Sequence, residues 1–207
     1  MSPRPRKVSD EEVFAAAHRA TNRLAPNELT LAEIAAEAGV TAGAIAQRFG
    51  SKRALLLALA RAAAESTGDF IGQLRAAHKS PLAAIGAYAE CMAGLARSPA
   101  ALARNLAYLQ IDLADPDFRE QLSVQARATR AGLRGLLEAA TAAGELKRGT
   151  DVVTLARTVE AIISGSLMTW AFYHDGPADR WIREDVNAVL APYLTKRSPT
   201  SKRSRKR

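Results

Sequence analysis

Gln47, Arg48, Lys52 and Arg53 crowd into seven residues just beyond a glycine break, and their types suit the edges and backbone of a nucleic acid. A glutamine amide offers a donor beside an acceptor, which matches an adenine edge, and an arginine fork matches guanine or phosphate. A lysine supplies a point charge for phosphate, which holds a protein in place without reading sequence. Just ahead of them, Thr41, Ala42, Gly43 and Ala44 offer one hydroxyl and otherwise small surfaces, suited to thymine methyls or to close approach. Thr30, at the start of the preceding helix, joins this set. Gln47 either bridges an adenine or is merely solvated, and Arg48 is the competing base reader.

Other chemistries find no support in the residues. There is no nucleophile elbow, P-loop, HExxH pair or dinucleotide fingerprint, and the acidic residues form no catalytic constellation. His18, His78 and His174 lie at no metal-ligand spacing, and Cys91 is the only cysteine. The expectation is no catalytic residue, no metal and no cofactor. A single cysteine also fits a reducing cytosol.

The elements that must position these residues are helices. Alanine dominates, β-branched runs are scarce, and only 5% of residues are aromatic. Ser9 to Glu12 forms a capping box, with Val8 placed to staple onto Val13, and Val13, Ala16, Ala17, Ala20 and Leu24 follow at helical spacing before Pro26. Thr30 to Glu33 reads as a second capping box, opening a helix that stops at Gly39. Thr41 caps a short helix, and Ser51 caps a long one reaching roughly to residue 76. Ser80-Pro81, Ser98-Pro99 and Asp115-Pro116 repeat one device, a capping side chain followed by proline at the first helical position. Thr150 and the Gly176-Pro177 turn open the last two. The fold class is all-α with about nine helices.

The break at Gly39 has the register of a helix-turn-helix. Counted from Leu31, a small residue, a turn glycine and a buried aliphatic fall at positions five, nine and fifteen, which are Ala35, Gly39 and Ile45. Glycine suits the turn because it lacks the Cβ that penalises a left-handed backbone. Val40 plugs the turn, and Phe49 closes the unit against the first helix. The second helix of the pair is short enough to lie in a major groove.

The stretch "LTLAEIAAEAGVTAGAIAQRFGSKRALLLAL", residues 29–59, resembles the DNA-binding signature of the TetR family of bacterial transcriptional regulators. The resemblance implies a three-helix DNA-binding domain followed by a larger helical domain that dimerises and usually binds a small-molecule inducer, with repression the common output. The family's turn glycine matches Gly39, and its approach to the recognition helix appears as Thr41-Ala42-Gly43. The aromatic before the "SK" pair matches Phe49, and the lysine that usually holds a phosphate matches Lys52. Two positions depart: Ala46 stands where tyrosine is common, and Arg48 where histidine is. Losing the tyrosine removes a phosphate contact, whereas Arg48 can supply a charged one, so the backbone clamp is shifted rather than lost.

The remaining two-thirds reads mostly as packing. Tyr88, Cys91, Met92, Leu95, Leu102, Leu106, Tyr108, Leu109 and Leu113 are apolar at helical spacing. The resemblance implies an effector pocket among the middle helices, with Tyr88, Met92, Asn105, Tyr108, Leu109 and Trp170 as its candidates and Gln110 as a further polar group. In "VEAIISGSLMTWAFYH", Ile162, Gly165, Ser166 and Thr169 make a small-residue stripe beside Trp170, and Val186 and Val189 belong to a partner stripe on the last helix. Either another subunit covers these stripes or the same subunit does. The resemblance implies the former, a homodimer through a four-helix bundle, and a two-fold operator would match it.

Charge completes the organisation. Of the +8 net charge, three basic groups fall in residues 1–8 and seven in 195–207, leaving 19 basic against 21 acidic residues in 9–194. The expected division is therefore a basic arm 1–8, a DNA-binding domain 9–67, an effector-binding and dimerisation domain 68–194, and a disordered basic tail 195–207. The N-terminal charge precedes no apolar core, so it does not read as a signal peptide. The longest uncharged run, 14 residues from Ala161 to His174, is shorter than the ~20 a membrane helix needs, so a cytoplasmic protein is expected. The functional expectation is a sequence-specific regulator binding a double-stranded operator, a repressor released by a small molecule. An architectural DNA-coating protein is the alternative suggested by the tails, and a helical enzyme is a more distant one.

Overall fold

Side-chain caps set where the helices begin. The structure is a computed structural model and describes residues 8–195. Its described residues form α1 (Asp10–Arg23), α2 (Leu31–Ala38), α3 (Ala42–Phe49), α4 (Lys52–Ala77), α5 (Pro81–Ala93), α6 (Pro99–Ala114), α7 (Pro116–Ala142), α8 (Val152–Tyr173) and α9 (Ala178–Leu190), with two 3-10 turns. Ser9, Thr30, Thr41, Ser51, Ser80, Ser98 and Asp115 each accept a hydrogen bond from a backbone N–H in the first turn of their helix. Proline occupies the first position of α5, α6 and α7 as expected.

Two start signals are corrected. Thr30 accepts from the Glu33 N–H, but the Glu33 carboxylate pairs with Arg23 at 3.1 Å and is drawn away from the cap. The cap of α8 is Asp151, whose Oδ1 accepts from Val153 and Thr154, while Thr150 donates to the Lys147 carbonyl. Asp151 can reach two N–H groups because its carboxylate is acceptor-only, and the α8 dipole favours its charge.

Apolar faces collect into two clusters. The head buries Val13, Ala17 and Ala20 of α1 against Leu29, Ile34, Ala35, Ile45 and Leu55. The body gathers Ile71 of α4 with Ile85, Leu133, Leu137, Leu155, Val159 and Ile182 from α5, α7, α8 and α9. One helix serves both: α4 contributes Leu55 to the head and Ile71 to the body, so the expected boundary at residues 67 and 68 falls inside it. Where α4 meets α7, a Cβ on Gly132 would lie 2.6 Å from Ile71 Cδ1, so the glycine permits the close approach.

Length and composition alone would let α8 cross a membrane, a correction to the charge-free-run argument. One face of it, with Leu155, Val159, Ile163 and Trp170, packs in the body cluster, while Val153, Met168 and Phe172 stay exposed. Thr195 is a second correction. Expected in the tail, it is docked on residues 144 and 145, and Leu194 makes an antiparallel bridge with Leu146. The basic residues of the arm (Arg4, Arg6, Lys7) and the tail from residue 196 lie outside the described residues.

Candidate DNA interface and interior cavity

The turn between α2 and α3 has the geometry its sequence demands. Gly39 sits in the left-handed region at φ 69°, and its N–H reaches back to the carbonyls of Ala35 and Ala36. Val40 N–H donates to Ala35 O at 3.0 Å. Ile45 anchors α3 in the head cluster, and Phe49 meets Phe14 of α1 with ring centroids 5.9 Å apart. Exposed ion pairs from Arg19 to Glu37 and from Arg23 to Glu33 and Glu37 link α1 to α2.

With Ile45 inward, α3 turns Gly43, Ala44, Gln47 and Arg48 to the surface, Ala42 lies half-buried, and Thr30 and Thr41 are exposed at the helix starts. Gln47 makes no hydrogen bond within the described residues, so both halves of its amide are available. Arg48 differs. Its guanidinium donates to the Val8 carbonyl, pairs with Asp10 and lies 5.6 Å over the Phe49 ring. In the DNA-free structure it fastens the start of α1 to the end of α3. Lys52 also has partners within the chain. Its ammonium donates to Pro26 O at 3.1 Å and Leu29 O at 2.8 Å, clamping the turn that joins α1 to α2. Arg53 faces the body instead, gripping Asp115 through two nitrogens at 2.9 and 2.8 Å and Asp117 at 2.6 Å.

In the body, α5, α6, α7 and α8 line a half-open cavity of about 490 Å³. Tyr88, Met92, Asn105, Tyr108 and Leu109 all line it. Trp170 does not. It is buried in the core with its indole N–H donating to Gly176 O at 2.9 Å, closing the α8–α9 turn. Gln110 lies on the exposed side of α6, outside the lining. Two acids were missed, Asp112 and Glu160. Asp112 follows Tyr108 by four residues, so helical spacing alone would have put it on the same wall.

The polar groups of the cavity differ in how well they are satisfied. Asn105 donates to Leu95 O at 2.8 Å, and Glu160 accepts from Arg130 at 2.7 Å. Burial pushes the Tyr88 hydroxyl up, while a bond with Thr129 pulls the other way. Burial, then the Glu28 charge, pushes Tyr108 up to about 12, so it remains a donor at any physiological pH. That donor reaches Leu24 O at 2.9 Å, at the end of α1. Four residues earlier, Arg104 donates to Asn22 O at 3.3 Å. Two side chains of α6 thus satisfy carbonyls at the C-terminus of α1.

The stripe residues split. Ser166, Trp170 and Val186 are buried within this subunit, and Ser166 donates to Asp185 at 2.6 Å. Gly165 and Thr169 are exposed, and Ile162 and Val189 are half-buried against the body cluster. The helical period identified an apolar face without saying what covers it.

Family models match the same two regions. Residues 13–59 match the family model described as bacterial regulatory proteins, tetR family, and residues 107–186 match the tetracyclin repressor-like C-terminal domain. No curated protein matches the chain. Among solved structures, a TetR transcription regulator from Haloarcula marismortui superposes with a TM-score of 0.69 at 20% identity, covering 90% of this chain and 98% of that one. SmeT, the repressor of the Stenotrophomonas maltophilia multidrug efflux pump SmeDEF, gives 0.64 at 20% identity over 92% of each chain. FadR from Bacillus subtilis in complex with stearoyl-CoA gives 0.64 at 18%, covering 88% and 98%. At these identities the structures share the fold alone. With family models matching the helix-turn-helix and most of the body, the chain belongs to the TetR family of bacterial regulatory proteins.

Proposed function

We propose that this chain is a sequence-specific DNA-binding repressor that acts as a homodimer and leaves its operator when a small molecule fills the body cavity. Tyr108 carries the reading. Its ring lines the cavity while its hydroxyl holds the end of α1, so a guest that displaces α6 must also disturb the head. On the DNA side, Gln47 reads bases beside the small surfaces of Gly43 and Ala44, with Thr41 and Thr30 flanking them. Lys52 has one N–H beyond the two it spends, and that one serves phosphate. SmeT is named as a repressor and the FadR structure holds stearoyl-CoA; they support a ligand-responsive repressor without fixing a ligand.

The dimer face is the exposed side of α8, where Gly165 and Thr169 lie near Met168 and Phe172, which are 45% and 78% exposed. Gly165 is exposed and a Cβ there would meet nothing within 4 Å, so Gly165→Arg begins in open space on the single subunit and tests the face. Solution mass should fall from dimer to monomer. An architectural role fits less well with the slight acidic excess of residues 9–194.

The deciding experiment selects bound sequences from random duplex DNA and compares affinity for selected and scrambled duplexes. A specific regulator should prefer the selected site by about a thousandfold or more. Equal affinity would leave the architectural reading. A metabolite library applied to the selected complex then tests release.

A further inference from the structure

We infer that the body cavity is built for a lipophilic cation, an apolar organic ammonium or phosphonium, and selects against anions of the same size. The inference rests on the effector-cavity reading and names its ligand class. Among the described residues, the cavity lining contains two carboxylates, Asp112 and Glu160, and no lysine, arginine or histidine. Glu160 is already offset by Arg130. Asp112 is not: it has no hydrogen bond or ion pair among the described residues, and its neighbours on α6 include Leu109 and the ring of Tyr108.

A half-buried carboxylate with no partner, set in a mostly apolar wall, is only partly hydrated, and that partial loss of water is uncompensated. Burial, followed by repulsion from Asp115, holds the Asp112 carboxyl above its usual range. A guest cation would relieve both penalties, and a guest anion would add to them. The rest of the lining suits the same guest. Tyr88 and Tyr108 offer ring faces, which attract cations through their quadrupole, and Met92 and Met168 offer polarizable, adaptable surface.

Two pairs of ions matched in shape and opposite in charge test this on the full chain without DNA. They are tetraphenylphosphonium against tetraphenylborate, and decyltrimethylammonium against decanesulfonate below micelle formation. Calorimetric titration should find at least one cation bound once per chain and preferred over its anion by about tenfold or more. Asp112→Asn should erase most of that preference, with a thermal midpoint no lower than that of the parent. Glu160→Gln should change it less, since Arg130 already balances that charge. Asp69→Asn, an exposed acid outside the lining, should change nothing. Preference for either anion, binding of none of the four ions, or an unchanged preference in Asp112→Asn would overturn the inference.

Operator release is read separately. A cation that binds but leaves the operator complex intact keeps the charge inference and breaks the effector reading. Release by anions alone does the reverse.

Discussion

The short helices α2 and α3 of the head and α6 of the cavity wall are all rich in alanine, yet they use apolar residues in opposite ways. In the head, α2 buries Ile34 and Ala35, α3 buries Ile45, and all join one cluster. In the wall, α6 buries only Leu102, leaving Leu106, Leu109, Ile111 and Leu113 between 36% and 52% exposed. A packed cluster holds a surface in one geometry, which a base-reading helix requires. An under-packed wall keeps room for a guest and can shift when one arrives. The two are joined by few bonds, chiefly from Tyr108, Arg104 and Arg53.

The largest expected effect tests this contrast directly. Leu137 is fully buried, and Leu137→Ala should cost about 2–5 kcal/mol in urea unfolding from lost burial and the cavity left behind. Ile34→Ala in the head should fall in the same range. Leu109→Ala, at a position 38% exposed, should stay within about 0.5 kcal/mol. A wall substitution as damaging as the core ones would make α6 part of the core and end the comparison.

Lys52 sharpens the picture of the head. Its two bonds tie the start of α4 to the turn between α1 and α2, and bonds from a charged donor are the stronger kind. Lys52→Ala should therefore cost about 2 kcal/mol in the DNA-free protein, besides weakening all duplexes alike. Unchanged stability with uniformly weaker DNA binding would return Lys52 to phosphate alone.

Legibility in the sequence followed the distance between partners. Caps were readable because the side chain and the N–H it accepts from lie two or three residues apart, as at Ser9, Thr41 and Ser98. The turn at Gly39 was readable because a left-handed residue between two helical patterns has a local signature. The intramolecular partners of Arg48 and Lys52 were not readable because they lie 23 to 40 residues away, and spacing reveals nothing about what a long cation finds there. Ser166 and Val186 show the same limit. Period alone did not reveal that α8 and α9 of one subunit pack on each other and bury both. In the cavity, Tyr88 and Tyr108 were placed among the candidates by the resemblance, whereas Asp112 was not singled out.

A smaller effect concerns the bond that joins the two regions. Tyr108→Phe keeps the ring in the cavity wall and removes the donor to Leu24 O, which should cost about 1 kcal/mol. Ligand affinity should hold, since the ring remains. What should shrink is the ligand's effect on operator affinity, because the link from α6 to α1 is then one bond weaker. Full coupling in Tyr108→Phe would shift the communication to Arg104 or to α4.

The smallest effect is at Arg53, whose side chain is 51% exposed, so screening limits what its ion pairs contribute. Its signature is a pH dependence rather than a large loss. Burial alone would raise the Asp115 carboxyl, but bonding from Arg53 and the Asp117 N–H outweighs it and leaves the group below its usual range. A carboxyl lowered on folding adds stability above its unfolded value, about 3.9, and that stability fades as pH falls through the folded value. The parent protein should therefore lose stability on acidification from roughly pH 5 downward, and Arg53→Ala should flatten that limb. Some slope should survive, because Asp151 is lowered independently, by Thr154 first and by nearby backbone N–H groups. Molar salt should mimic the variant in part, since an exposed pair is screened. An acid limb identical in parent and variant would mean that Arg53 does not hold the head to the body, leaving α4 and the two α6 donors as the connection.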